Sequence, residues 1–327
     1  MPVTPPRRIT WSPSLTLVPT RHCFNACGYC GFREAETKIA ATGLPADSLD
    51  DATARSRIQA SPGASEVLLL SGEVHPQAPG RRAWMERLLA LSRLALAAGR
   101  LPHTNAGPLS RLEMARLARL NPSMGLMLEG LGPVYDRQHQ VAPSKRLETR
   151  LSQLEQAGRL GIPFTTGLLL GLGETVQQRR DALALIALLQ QSWGHIQEVI
   201  LQPFRPGKGA PLPLSASDQD DLLGTIAEAR AILPAEVHLQ LPPNLWPLET
   251  LPAALEAGID DLGGIDAADV INPTYPQPAV PQLAERLAQA GWELVPRLCV
   301  HAGWIGGLPP RLRRCVQARA QARERGC

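Results

Sequence analysis

Short runs of uninterrupted apolar residues recur along this chain, each separated from the next by a longer stretch with helical spacing. No other feature restricts the fold as much. The plainest run is Glu66-Val67-Leu68-Leu69-Leu70, whose continuous apolarity suits a parallel strand covered on both faces. Residues 82–98 follow with helical periodicity and meet Gly99, a natural C-cap. Further strand-like runs lie at 14–19, 101–105, 123–129, 164–170, 198–204, 237–241 and 258–263, with helical stretches at 110–120, 145–160, 177–193 and 216–233. Eight strands with helices between most pairs predict parallel βαβ units and an α/β fold closed as a (βα)8 TIM-type barrel. A partial (βα)6 barrel with a C-terminal extension is the alternative. No low-complexity linker divides the 327 residues, so a single barrel domain is expected. It would carry a short N-terminal lead-in (1–13) and a basic C-terminal helix (309–327), read as a solvated terminal helix. Proline-rich patches at 203–213, 242–252 and 273–281 follow predicted strands, as loops do.

Straight after the first predicted strand come Cys23, Cys27 and Cys30, half of the six cysteines within eight residues. Thiolates this close can meet at one soft metal centre, yet three leave a four-coordinate centre one ligand short. Structural zinc normally closes with a fourth protein ligand, and an ordinary iron–sulfur cluster with four cysteines. The spacing therefore suggests a [4Fe–4S] cluster with one iron kept open for another molecule. His22 is the sharpest alternative, completing a Cys3His zinc site. Neighbouring residues of an extended segment point to opposite sides, which makes joint ligation by His22 and Cys23 awkward. Cys299, Cys315 and Cys327 are scattered towards the C-terminus and read as ordinary reduced thiols, which fits the cytoplasm.

In a barrel of this type the working face lies at the C-terminal ends of the strands. The polar residues that follow the predicted strands are Ser71-Gly72-Glu73, Thr104-Asn105, Glu129 and Gly171-Leu172-Gly173-Glu174-Thr175. Each also has a plainer reading, the glycines as turn formers and Glu73 and Glu174 as carboxylates at helix starts.

In combination these residues carry a resemblance. Cys23-x3-Cys27-x2-Cys30, with Tyr29 before the last cysteine, resembles the signature of the radical S-adenosylmethionine superfamily. The resemblance implies that the three cysteines hold a [4Fe–4S] cluster whose open iron takes the amino-acid end of S-adenosylmethionine. Gly72-Glu73 resembles the motif that holds the methionyl amino group. The string from Gly167 to Glu174, with Gly171 and Gly173, resembles the strand-five pattern that supports the adenine, and Glu129 sits where ribose or methionine contacts are found. Longer strings, LPHTNAG at 101–107, SMGLMLE at 123–129, IPFTTGLLLGLGET at 162–175 and GIDDLGGI at 258–265, are similar to the 7,8-didemethyl-8-hydroxy-5-deazariboflavin synthase family, and to its ring-closing subunit in particular.

That family implies a small-molecule substrate, the tyrosine–ribitylaminouracil adduct, and products that include ammonia, 5′-deoxyadenosine and methionine. It implies an electron donor and, because only one cysteine triplet is present, a separate tyrosine-coupling subunit. His103, Asp260 and Asp261 are the candidates for a general base. Asn105, Asn244 and Asn272 are candidates for hydrogen bonds to a uracil edge or ribityl hydroxyls, since amides both donate and accept.

Competing classes leave other marks. Another barrel enzyme of the same superfamily, biotin-synthase-like for example, would share the cysteines but not the longer strings. A Schiff-base aldolase needs a well-placed lysine, and Lys38, Lys145 and Lys208, the only three, all lie outside predicted strands. A net charge of +3 gives no reason to expect nucleic acid. Apolar stretches fall far short of the ~20 residues that cross a bilayer, and the N-terminal residues show no secretory pattern.

Overall fold

The computed structural model describes residues 7–34, 48–207 and 210–325, apart from the Glu324 side chain. Lys38, Lys208, Cys327 and the first six residues of the expected lead-in lie outside the described residues. In chain order the elements are β1 (Arg7–Leu17), α1 (Asp51–Ala60), β2 (Glu66–Leu70), α2 (Arg81–Ala97), β3 (Leu101–Asn105), α3 (Arg111–Ala118) and β4 (Ser123–Gly125). Next come α4 (Pro133–Gln138), α5 (Leu147–Arg159), β5 (Phe164–Leu170), α6 (Val176–Trp193), β6 (Ile196–Pro203), α7 (Ala216–Ile232) and β7 (His238–Gln240). The chain ends with α8 (Leu251–Ala257), β8 (Asp261–Ile265), α9 (Val280–Gln289), β9 (Trp292–Pro296), α10 (Ala302–Ile305) and α11 (Pro310–Glu324).

Strands β1 to β8 pair in sequence, all parallel, and β1 pairs with both β2 and β8, so the sheet closes into the expected eight-stranded barrel. Alternate strand residues serve two different environments. Val67 and Leu69 of β2, Phe164 and Leu168 of β5 and Val199 and Leu201 of β6 point outward and are buried in the apolar layer beneath the helices. Their burial is worth about 1.5–3 kcal/mol per side chain. Between them, Glu66, His103, Asn105, Thr165, Glu198, Gln202 and Gln240 line the barrel lumen. Helix starts are fixed locally: Ser110 with Glu113 and Thr175 with Gln178 form capping boxes on α3 and α6.

Several expectations need correction. β1 begins at Arg7 rather than at residue 14, so most of the supposed lead-in is strand, and β8 begins at Asp261 rather than at residue 258. β4 stops at Gly125, and Glu129 meets β5 only through an isolated bridge to Leu168 with a left-handed backbone of φ 77°. A ninth strand, β9, pairs with Arg7–Trp11 of β1, on the edge whose upper half carries β2. Beyond it the chain crosses beneath the barrel: Arg297 N donates to the Trp11 carbonyl at 2.7 Å, and the Cys299 carbonyl accepts from Ser123 Oγ and Gln197 Nε2 at 2.8 and 3.0 Å. Leu312 and Val316 of α11 pack there against Leu101, Leu298 and Val300. The basic helix is therefore partly seated on the floor of the barrel, with its apolar residues turned inward.

Candidate active site

The loop after β1 carries Cys23, Cys27 and Cys30 and is tied down on two sides. Gly72 N donates to the Thr20 carbonyl at 2.8 Å and Phe24 N to the Glu73 carbonyl at 3.0 Å, fixing the loop to the end of β2. Ala26 N and Gly28 N donate to the Val141 and Gln138 carbonyls at 2.6 and 2.9 Å, fixing it to the segment around α4. A Cβ on Gly72 would overlap the His22 carbonyl, so only glycine lets the two backbones approach this closely. Burial pushes the Cys27 thiol up to about 12, against the pull of Lys145.

Beneath the loop lies a buried quartet of charges. The Glu73 carboxylate accepts from Arg150 Nη2 and Asn25 Nδ2, each at 2.8 Å, and from Ser144 Oγ, with Lys145 Nζ at 4.0 Å. Burial opposes its charge, but Arg150 and Lys145 outweigh burial and bring it down to about 2. Glu129 pairs directly with Lys145. Burial and Arg150 work against the Lys145 ammonium, yet Glu129 and Glu73 hold it above its ordinary value, which is the reverse of what a Schiff-base lysine needs. Tyr29 stays a phenol, because burial and Glu129 push it upward, and its hydroxyl meets His139 Nε2 at 2.9 Å.

A cavity of about 180 Å³ opens between this quartet and the loop, lined by Tyr29, Cys30, Glu129, Lys145 and Arg150. Arg150 is fully buried, and its Nε and Nη1 have no hydrogen-bond partner among the described residues. Two unspent N–H groups beside an ammonium suit a ligand carboxylate. A second cavity of about 190 Å³ runs down the barrel lumen to Arg297 and Cys299. Asn105, Leu126, Met127, Gln202 and Asn272 line both, so the two are adjoining.

The structure sorts the sequence candidates. Cys30, Tyr29, Glu129, Asn105 and Asn272 line the upper cavity, and Gly72 and Glu73 support it from β2. Asn244 lines the lumen, held with Asn272 by the Asp269 carboxylate at 2.9 and 3.0 Å, and its buried Oδ1 has no partner among the described residues. Gly171, Gly173 and Glu174 line neither cavity. Gly171 and Gly173 turn with φ of 92° and 104°, and the Glu174 carboxylate folds back onto Gly171 N, Leu172 N and Arg179 Nε at 2.7, 2.9 and 2.8 Å. Glu174 thus shapes the turn after β5, and its carboxylate is committed there.

The base candidates fare differently. His103 faces the lumen. Asp260 precedes β8, at the barrel end away from the cysteines, and binds His238 Nδ1 and Leu239 N at 3.0 and 2.7 Å. Asp261 is fully buried under Arg297 and Thr10. The strand begins at Asp261 rather than at residue 258, which puts both at its N-terminal end. Sequence reading missed Asn25, Lys145 and Arg150, which lie on a loop and a helix start with no motif of their own. It also missed Glu66, Glu198 and Arg297. Only Glu198 had a signal: Glu198 and Gln202 fall on the same face of their run, as His103 and Asn105 do on theirs, the period-two mark of a lumen-facing edge.

The donor set fits the implied cluster and S-adenosylmethionine. Two sulfurs on one tetrahedral zinc would sit about 3.8 Å apart. Among the described residues the group of His, Cys, Asp and Glu donors lying within 4.8 Å of one another is Glu198, Asp261 and His301, and the cysteines form no such group. Their wider spread suits the corners of a larger cluster. At Glu198 and Asp261 the cationic position is already filled by Arg297.

Comparisons with known proteins agree with this geometry. Residues 17–186 match the radical SAM superfamily. The chain is 50% identical over 312 residues to a 7,8-didemethyl-8-hydroxy-5-deazariboflavin synthase of Synechococcus elongatus, covering 95% of this chain and 91% of that one. It is 50% identical over 298 residues to the enzyme of that name from Gloeobacter violaceus, covering 90% of each. Among solved structures, methylornithine synthase superposes with a TM-score of 0.65 at 14% identity, covering 88% of this chain and 84% of that one, which speaks for the fold alone. The chain therefore belongs to the 7,8-didemethyl-8-hydroxy-5-deazariboflavin synthase family of the radical SAM superfamily.

Proposed function

We propose that this chain performs the ring-closing half of deazaflavin synthesis. It would convert the adduct 5-amino-5-(4-hydroxybenzyl)-6-(D-ribitylimino)-5,6-dihydrouracil to 7,8-didemethyl-8-hydroxy-5-deazariboflavin with release of ammonia. The observation that carries this reading is the pair of adjoining cavities, an upper one with cationic groups beside Cys30 and a lower one lined by amides, carboxyls and an imidazole. When bound, the cluster and S-adenosylmethionine supply a 5′-deoxyadenosyl radical that takes a hydrogen atom from the substrate, leaving 5′-deoxyadenosine and methionine.

The chain's own residues position and shield. Cys23, Cys27 and Cys30 would hold the cluster. Arg150 and Lys145 offer N–H donors to the methionyl carboxylate, while Glu129, Glu73 and the Gly72 backbone would receive the amino group. Tyr29 closes the cavity wall, and the turn made by Gly171, Gly173 and Glu174 sets the backbone after β5. Asn105 and Asn272, at the junction of the cavities, would orient the substrate where hydrogen is removed, with Asn244 binding deeper. The adduct itself requires a separate tyrosine-coupling subunit, and the radical step an electron donor. The test is anaerobic incubation of the reconstituted protein with reductant, S-adenosylmethionine and the adduct. Deazaflavin fluorescence is expected; cleavage of S-adenosylmethionine without it overturns the assignment.

A further inference from the structure

The lumen floor holds three buried carboxyls, Glu66 at the start of β2, Glu198 on β6 and Asp261 at the start of β8, around the single guanidinium of Arg297. Arg297 is divided unequally. Its Nη2 donates to Glu198 Oε1 at 2.6 Å and to Asp261 Oδ1 at 2.7 Å, and Nε also donates to Asp261. Thr165 Oγ1 takes the other Glu198 oxygen at 3.0 Å, and Thr10 a second position on Asp261. Each oxygen of both carboxyls thereby has a donor. Glu66 has a single hydrogen-bond partner among the described residues, the Ser12 hydroxyl on Oε2. Its Oε1 lies on the lumen side, 3.8 Å from where a Cβ on Gly264 would stand, and both residues line the lumen cavity.

Asp266 and Asp269, which also line the lumen, are held by Thr16 N and Ala267 N and by Asn244, Ile271 and Asn272, and His103 is fixed in the wrong state. The single proton of Ser123 Oγ goes to the Cys299 carbonyl at 2.8 Å. His103 Nδ1, 2.7 Å from that oxygen, must therefore be the donor, which leaves the lone pair on Nε2. Burial and the charge of Arg297 push His103 down to about 3, so Nε2 accepts hydrogen bonds but carries no proton near neutrality.

We propose that Glu66 is the proton-transfer residue of the lumen, taking a proton from the carbon next to the substrate's departing amine and delivering it to that amine. This rests on the substrate proposed above, whose amino and hydroxybenzyl groups share one ring carbon. In the step, a benzylic C–H bond breaks and its electron pair becomes a C=C bond to that ring carbon. The C–N bond breaks with its pair on nitrogen, and the proton held by Glu66 joins the nitrogen, giving ammonia. The carboxylate returns to its starting state, so no oxidant is consumed. The surroundings suit a group that must both take and give: burial pushes Glu66 up to about 7, opposed by Ser12 and Arg297 and helped by Glu198 and Asp261. His103 on β3 adds no charge.

The experiment compares wild type with Glu66→Gln and Glu66→Asp under single turnover, measuring deazaflavin and 5′-deoxyadenosine together. Glu66→Gln should lower deazaflavin per 5′-deoxyadenosine about 100-fold, with partial recovery in Glu66→Asp. In wild type the ratio should fall as pH drops through about 7, because the protonated carboxyl cannot take the proton. A Glu66→Gln ratio equal to wild type overturns the inference and leaves the substrate reading intact. Wild type that cleaves S-adenosylmethionine without deazaflavin overturns both. Should Glu66→Gln fail to bind iron, the wild-type profile decides: a ratio independent of pH between about 6 and about 8 overturns the role.

Discussion

Arg150 offers the most direct test of the charge quartet beneath the cysteine loop. It is fully buried, donates to Glu73 Oε1 at 2.8 Å, and is the largest influence holding that carboxylate down to about 2 from an ordinary 4.5. That difference is worth about 3 kcal/mol. Its sign follows from the direction. A carboxyl lowered by folding stabilises the protein above its unfolded value, so the contribution is complete above about 4.5 and is lost as pH falls towards about 2. Arg150→Met strands Glu73 with Lys145 at 4.0 Å as its remaining cation, and should cost about 3–5 kcal/mol at pH 7. The cost should shrink near pH 4, where the stranded carboxylate can take up a proton, and Glu73→Gln in the same chain should recover much of it. Urea unfolding of the apoprotein, followed by circular dichroism at both pH values, measures this. A loss below about 1 kcal/mol at pH 7, or one that does not change with pH, refutes the account of the quartet.

Three further outcomes are expected. Replacing Cys23, Cys27 or Cys30 by Ala should abolish the brown absorbance of the anaerobically reconstituted protein while its far-ultraviolet circular dichroism is retained. Gly72→Ala drives a methyl into the His22 carbonyl and should cost about 1–3 kcal/mol together with a lower iron content, read by thermal unfolding and iron assay. Gly125→Ala places a carbon 3.0 Å from His103 Nε2 and 3.3 Å from the Thr165 carbonyl, and should raise KM for the adduct by crowding the lumen acceptor.

The lumen shows why part of the site escaped a linear reading. Leu68 and Leu70 face the cavity and Val67 and Leu69 the helices, so β2 reads as unbroken apolarity, and nothing in the run marks Glu66 at its start as a lumen position. β9 and the crossing segment carry no strand–helix period, because their residues answer to the barrel floor and not to a βαβ unit. Lys145 and Arg150 sit at a helix start, where a cation reads as a solvated residue until the fold buries it. The strand expected from residue 258 begins at Asp261, so Asp260 and Asp261 stand at its N-terminal end, away from the cysteine loop.

Sequence alone determined the barrel and the cysteine loop. Both are local patterns: apolar runs of strand length must be covered on two faces, and three thiols within eight residues need no distant partner to announce a metal. Only the tertiary structure decided which charges face each other. Arg150 meets Glu73 across 77 positions and Arg297 meets Glu198 across 99, and the ionisation of a buried carboxyl depends on such neighbours. The same closure left Glu66 without a paired cation among the described residues, a distinction among three acids that no spacing along the chain could express.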